Sequence, residues 1–424
     1  MVSDGMGPAS LSLTRSFRQV VEGLDMRDTL VLDDHFWGTS RTRSSNSFVT
    51  DSAAGATAFS CGHKSYNTAI SMLPDFQPCG TVLEAAKRAG YATGLVVTTD
   101  ITDATPACFA SHVYYRSQGD EIALQEVGEG VLGRTVDLML GGGRCHFVPN
   151  TTLESCRADN VDVTTIAREK HGYTYIDDRA GFDSLKRGKN VSLPLLGLFA
   201  ATDVPFEIDR RHMANVFPSL SEMALTALTA LEEATKDSDK GFFLMIEGSR
   251  IDHAGHINDP AAQVREVLEY DKTFKLVLEF LNASDKEGVL VATSDHETGG
   301  LALALRKFLS TIPIMLLTPV QRLPASCPST TGTPLFSPKL TPRPSTSPTS
   351  CATTSPGTPN RTQMIFAGGS TQTLLSAGLA SMMLSRLRST PSPRTLWMLY
   401  TLLLAWSACA PVLAGAPTAT VPWT

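Results

Sequence analysis

The carboxylate side chains of this 424-residue chain stop abruptly. All 42 Asp and Glu residues lie within residues 1–307, and the 117 residues from 308 to 424 contain no Asp, no Glu and no His. The same stretch holds 16 of the 25 prolines. At the density of the first part, about 16 carboxylates belong there, so one globular composition does not run through the whole chain. Residues 1–307 carry 29 basic against 42 acidic side chains, a net −13, and the tail carries +7. The two parts are therefore separate: an acidic 1–307 domain, incomplete as written, and a Ser/Thr/Pro-rich 308–424 tail with an apolar end. The tail is expected to be disordered or the product of a shifted reading frame. The whole-chain net charge of −6 lacks the clustered basic surface that neutralises a phosphate backbone, which argues against a nucleic-acid partner.

Within 1–307, three apolar runs end in polar clusters. Gly94-Leu95-Val96-Val97-Thr98-Thr99 leads into Asp100 and Asp103. Phe242-Phe243-Leu244-Met245-Ile246 leads into Glu247-Gly248-Ser249-Arg250. Val289-Leu290-Val291-Ala292 leads into Thr293-Ser294-Asp295-His296. Continuous apolar runs suit strands buried on both faces of a parallel sheet. Helical spacing falls between them, over 81–89 up to the stop at Gly90, over 219–234 and over 260–281. Alternation of strand and helix predicts a layered α/β fold, in which ligands gather beyond the carboxyl ends of the strands. Asp4 reads as another strand-end residue, and only Met1, Val2 and Ser3 precede it. Its strand is expected to be cut short.

Several clusters could carry chemistry. Ser52, in Thr50-Asp51-Ser52-Ala53-Ala54-Gly55-Ala56-Thr57-Ala58, suits the start of a tightly packed helix, whose free N–H groups favour an alkoxide or a phosphate. Taken alone, an ordinary N-capping serine fits the same residues. Glu247-Gly248-Ser249-Arg250-Ile251-Asp252-His253-Ala254-Gly255-His256 places two carboxylates and two imidazoles beyond a strand, with Asp252 and His256 on one helical face. Carboxylate plus imidazole suits zinc, and carboxylate alone suits magnesium. Asp295-His296 repeats the pairing, Asp4 and Asp103 add carboxylates, and Arg116 is of the type that grips phosphate bidentately. His35, His63, His112, His146, His171 and His212 stand in no cluster and are not expected to bind metal. Eight cysteines without a CxxC pair indicate neither a disulfide scaffold nor a thiolate zinc site.

Asp4-Gly5-Met6-Gly7, the Asp51–Ala58 segment, Asp103-Ala104-Thr105-Pro106, Glu247-Gly248 with Ile251-Asp252 and His256, and Asp295-His296-Glu297-Thr298-Gly299-Gly300 occur in this order. Together they resemble the alkaline phosphatases, and the flanking stretches look most like the fungal vacuolar branch. The resemblance covers residues 1 to about 305. It implies an α/β sandwich around a large, mostly parallel central sheet, with a truncated first strand and an incomplete C-terminal part. It also implies a metal-dependent hydrolase of small-molecule phosphate monoesters. Ser52 would be the nucleophile that becomes phosphorylated, and Arg116 would clamp the phosphate. Asp295 and His296 would hold the zinc beside Ser52, with Asp4 shared between that zinc and a magnesium ion held by Asp103, Thr105 and Glu247. Asp252 and His256 would hold a second zinc, which the family completes with a third, downstream histidine.

That histidine has no counterpart here, since His296 is the last in the chain. A non-catalytic metal- or phosphate-binding remnant is therefore the alternative to an active enzyme. Sulfatases share the general architecture, but no Cys-x-Pro-x-Arg motif is present. The resemblance further implies a vacuolar or other secretory lumen and a homodimer, the family's common state, and leaves membrane attachment open. The opening residues show no signal-peptide pattern. Sequons at Asn150, Asn190, Asn282 and Asn360 are compatible with a lumenal location. Residues 396–416 are apolar enough for a membrane helix, although Pro411 and Gly415 interrupt them.

Overall fold

The expected strands assemble into one sheet whose order decides where the polar clusters meet. The structure, a computed structural model, describes residues 1–303. The tail, its boundary at 307 and the apolar stretch 396–416 lie outside the described residues. Among the described residues there are seven strands: β1 (Val2–Ser3), β2 (Ala92–Asp100), β3 (Leu138–Gly142), β4 (Thr174–Ile176), β5 (Leu195–Leu198), β6 (Phe242–Gly248) and β7 (Thr293–Ser294). They lie in the order β4-β5-β3-β2-β6-β1-β7, and every pairing is parallel.

The alternation of side chains along these strands builds two cores. Val96, Leu138, Leu140, Leu195 and Ile246 face one side of the sheet, where they pack against Met223, Ala227 and Leu231 of the Leu220–Ala234 helix and Val267 and Tyr270 of the Pro260–Ala283 helix. Their neighbours Leu95, Val97, Met139, Leu196 and Met245 face the other side, with Leu83, Val163 and Ala167. Each fully buried side chain of this kind contributes about 1.5–3 kcal/mol. The helices begin where local chemistry dictates. Thr81 with Glu84 and Ser219 with Glu222 form reciprocal capping boxes, and Asp259 caps a helix that has Pro260 in its first turn.

Two expectations are corrected. The run Val289–Ala292 was expected to be a strand buried on both faces. Only Thr293–Ser294 pairs as a strand, and Val289 and Val291 are 80% and 60% exposed. β7 borders the sheet among the described residues, so the run has a partner on one side only. The cysteines also do more than their spacing suggests. Cys61 is bonded to Cys79 and Cys145 to Cys156, while Cys108 is a buried free thiol. Pairing over 18 and 11 residues is set by how loops fold back, which spacing alone does not reveal. Among the described residues, no helix is long and apolar enough to cross a membrane.

The Cys61–Cys79 bond closes an 18-residue loop, which stabilises the fold chiefly by restricting the unfolded chain. Replacing both residues by Ser should lower the unfolding free energy by about 3 kcal/mol. A urea titration of the purified chain and the double variant checks this, and an unchanged midpoint would contradict it.

Candidate active site and metal centre

Ser52 opens the Ser52–Cys61 helix, but it is not the cap. Asp51 is the N-cap, accepting from Ala54 N at 3.0 Å with Oδ1 and from Thr68 N at 2.8 Å with Oδ2. The ordinary capping role is thus taken, and the Ser52 hydroxyl is left for other work. It lies buried, 3.0 Å from His296 Nε2 and 3.2 and 3.3 Å from the two Asp4 oxygens. The small residues that follow have a packing reason. Ala53 and Ala56 are buried against the Ala104–Ala110 helix. A Cβ at Gly55 would come within 3.2 Å of the Asp295 side chain and carbonyl. Bulkier residues would push the Ser52 helix away from the end of β7.

The strand order places the ends of β2, β6, β1 and β7 side by side. Asp103, Glu247, Asp4 and Asp295 consequently gather at one edge of the sheet. Burial, then the charges of Asp295, Asp252 and Glu247, push Asp4 well above the usual carboxylate range. Burial, partly opposed by a hydrogen bond from Ser249, pushes Glu247 up to about 8. Burial also raises Asp295, against the pull of His296 and the N–H groups of Gly5 and His296, which its Oδ1 accepts at 3.1 and 2.8 Å. Asp252 goes the other way. Burial disfavours its charge, yet His256, His296 and the Thr298 hydroxyl hold it down to about 2. His256 Nε2 lies 3.0 Å and Thr298 Oγ1 2.7 Å from its oxygens. Gly5 makes this contact possible. It has φ +66, and a Cβ there would sit 2.5 Å from Asp252 Oδ1.

These groups fit cations. The ligand atoms of Asp4, Asp252 and His296 lie within 4.8 Å of one another. Asp295 Oδ2 is buried with only a 3.4 Å approach of His296 Nε2, and Thr105 Oγ1 is buried beside Glu247 without a well-formed hydrogen bond. Crowded, buried carboxylates with spare lone pairs are what a divalent ion satisfies. The mixed imidazole and carboxylate set around His296, Asp295, Asp252 and His256 suits zinc. The oxygen-only set of Glu247, Asp103 and Thr105 suits magnesium. Cys145, His146 and Cys156 also lie close together, but their thiols are spent in a disulfide.

Arg116 stands over the same edge. Its Nη2 is 2.7 Å from Asp103 and its Nη1 3.8 Å from Asp51. Burial disfavours its charge, but Asp103 and Asp51 outweigh that and keep it cationic. Its backbone N–H donates to Thr68 O at 2.8 Å, so Thr68 ties Arg116 to the cap of the Ser52 helix. The structure thus brings together Ser52, Asp4, Asp252, Asp295, His296 and His256, with Asp103, Thr105, Glu247 and Arg116 alongside. Sequence reasoning assigned no role to Thr298 or Asp203. Asp203 lies beyond β5, accepts Asp100 N at 3.2 Å and contacts His253 Nδ1 at 3.1 Å. Its place after an apolar strand was the signal that could have found it. His253 turns toward Asp203, away from the Asp252–His256 face.

A family model described as alkaline phosphatase matches residues 1–320, about 15 residues beyond the boundary drawn from the motifs. The repressible alkaline phosphatase of Saccharomyces cerevisiae is 61% identical over 311 residues, covering 71% of this chain and 54% of the relative. Among solved structures, the alkaline phosphatase of Thermus thermophilus matches with TM-score 0.62 and 34% identity, over 72% of this chain and 60% of that one. A variant of TAB5 alkaline phosphatase, solved with Mg bound, matches with TM-score 0.60 and 32% identity, over 73% of this chain and 80% of that one. The chain spans about half the length of the curated yeast relatives it matches.

The raised carboxylates set the pH response of the metal-free protein. Their folded pKa values exceed the unfolded ones, so the folded state binds more protons between about pH 4.3 and the Glu247 value of about 8. Stability should fall as pH rises through that window, and cations should offset the loss. The gap in Tm between zinc- and magnesium-loaded and chelated protein should widen from pH 5 to pH 8.5. A constant gap would contradict the crowding.

Proposed function

The chain belongs to the alkaline phosphatase family, and on that premise we propose that it hydrolyses phosphate monoesters through a phosphoserine at Ser52. The observation that carries this is Ser52 Oγ, freed from capping and buried within 3.3 Å of both Asp4 and His296. Ser52 Oγ attacks phosphorus as the bond to the leaving alcohol breaks. Water then attacks the phosphoserine, the Oγ–P bond breaks and phosphate departs. The helix N-terminus and the Arg116 guanidinium face the phosphoryl oxygens and stabilise their charge. Asp103 and Asp51 hold the guanidinium in place.

Asp295, His296 and Asp4 would hold one zinc, Asp252 and His256 the other, and Asp103, Thr105, Glu247 and Asp4 a magnesium. Bound there, such ions stabilise the attacking and leaving oxygens and lower the pKa of serine and water. Since the groups assigned to the site address the phosphoryl group, substrate choice should be broad. The two disulfides support an oxidising secretory lumen, a vacuole included.

Ser52→Ala should remove all acid-stable label after incubation with radioactive phosphate at acid pH. It should also lower turnover by several orders of magnitude. Label retained by the variant would sink the assignment.

A second reading, metal and phosphate binding without efficient turnover, is favoured by one observation. Asp252 and His256 form a two-residue set, and no histidine follows His296 within these 424 residues. Catalytic zinc generally has three protein ligands. The 424-residue chain should therefore keep fewer than two zinc ions after dialysis and turn over an aryl phosphate poorly. Two retained zinc ions with brisk turnover would show that the third imidazole is replaced.

A further inference from the structure

Three aromatic rings meet on the segments that lead into Thr68 and Arg116, with Phe76 and Tyr114 open to solvent and Tyr66 half-buried. The Tyr66 and Phe76 centroids are 5.3 Å apart and those of Phe76 and Tyr114 6.0 Å, tilted by 56° and 66°. These are favourable aromatic separations. Tyr66 Oη donates to Tyr114 O at 3.1 Å. Phe76 is 52% and Tyr114 48% exposed, so the rings hold each other without entering either core.

Each ring is pinned to the catalytic edge by its own segment. Tyr114 precedes Arg116 by two residues. Tyr66 precedes Thr68 by two, and Thr68 bonds Asp51 with its N–H and Arg116 with its carbonyl. Phe76 sits at the tip of a turn closed by the Leu73 N to Gln77 O bond and by the Met72–Pro78 bridge. Just past that turn, Cys79 is bonded to Cys61, the last residue of the helix that Ser52 opens. Phe76 itself has φ +63, a conformation that bulky residues rarely adopt. These ties fix an aromatic surface on the segments that carry Thr68 and Arg116. Partly exposed rings held this way offer faces and edges to a planar apolar group.

We propose that Tyr66, Phe76 and Tyr114 form a leaving-group shelf for phosphate monoesters whose alcohol carries a planar, uncharged ring. This rests on the phosphate-site reading above. The phosphoryl group lies under Arg116 and the ring stacks on or against the exposed aromatic faces. The shelf adds affinity for aryl over alkyl monoesters without touching the reacting atoms, so the three residues are specificity determinants.

The test is calorimetric, on the full chain with zinc and magnesium, using phenylphosphonate, methylphosphonate and inorganic phosphate. The wild-type protein should bind the phenyl compound about two- to tenfold more tightly than the methyl compound, the range expected of one aromatic contact. Phe76→Ala and Tyr114→Ala should each bring that ratio toward one while methylphosphonate affinity stays unchanged, and Phe76→Tyr should keep it. Both sites are exposed, and an unchanged Tm confirms folding. A wild-type ratio of one, or an unchanged ratio in the Ala variants, overturns the shelf alone. Failure of all three probes to bind overturns the phosphate-site reading and the shelf with it. An unchanged ratio with an Ala variant that dissociates a dimer in sedimentation shows that a second copy covers the rings, and also overturns the proposal.

Discussion

The burial of several carboxylates at one end of the sheet is the constraint around which this molecule is arranged. Asp4, Glu247 and Asp295 are held above the ordinary carboxylate range by burial, with neighbouring acids adding to the shift at Asp4 and Glu247. Such a cluster destabilises a fold unless something offsets it. The protein answers locally with N–H groups from Gly5 and His296, the Thr298 hydroxyl and the His256 and His296 rings. The remaining lone pairs point to divalent cations. A fold that buries these groups together has, at that edge, the donor set a divalent ion would satisfy.

The scaffold bears the load through rigid neighbours. Two apolar cores clamp the sheet from both sides, so the strand ends cannot splay apart to relieve the repulsion. The Ser52 helix is built from small residues because it is wedged between Asp295 and the Ala104–Ala110 helix. Its far end is stapled through Cys61 to Cys79. The Ser52 helix is thereby held at both ends, by the Asp51 cap at one and by a covalent bond at the other.

The Thr68 bridge joins this rigid centre to its rim. One residue, with φ +78, satisfies Asp51 through its N–H and Arg116 through its carbonyl. The cap of the Ser52 helix and the Arg116 backbone are therefore joined through a single peptide segment, which also carries Tyr66.

The sequence by itself determined the parallel α/β class, since apolar runs such as 94–97 and 242–246 admit few other environments. It also drew attention to Asp4, Asp252, His256, Asp295 and His296, because strand ends and helical spacing are local properties, while a role for Ser52 beyond capping came only from the family resemblance. It could not say which strand ends would be neighbours. That depended on the order β2-β6-β1-β7, in which residues more than 280 positions apart become adjacent. It overstated the burial of 289–292, because the border of a sheet is a property of its assembly. It also missed both disulfides, Thr298 and Asp203, whose partners are remote in the chain or fixed by loop conformation. Whether Ser52 was a cap or a free hydroxyl was likewise undecidable from local pattern. The tertiary structure decided it by giving the cap to Asp51 and setting Asp4 and His296, 48 and 244 residues away, against the hydroxyl.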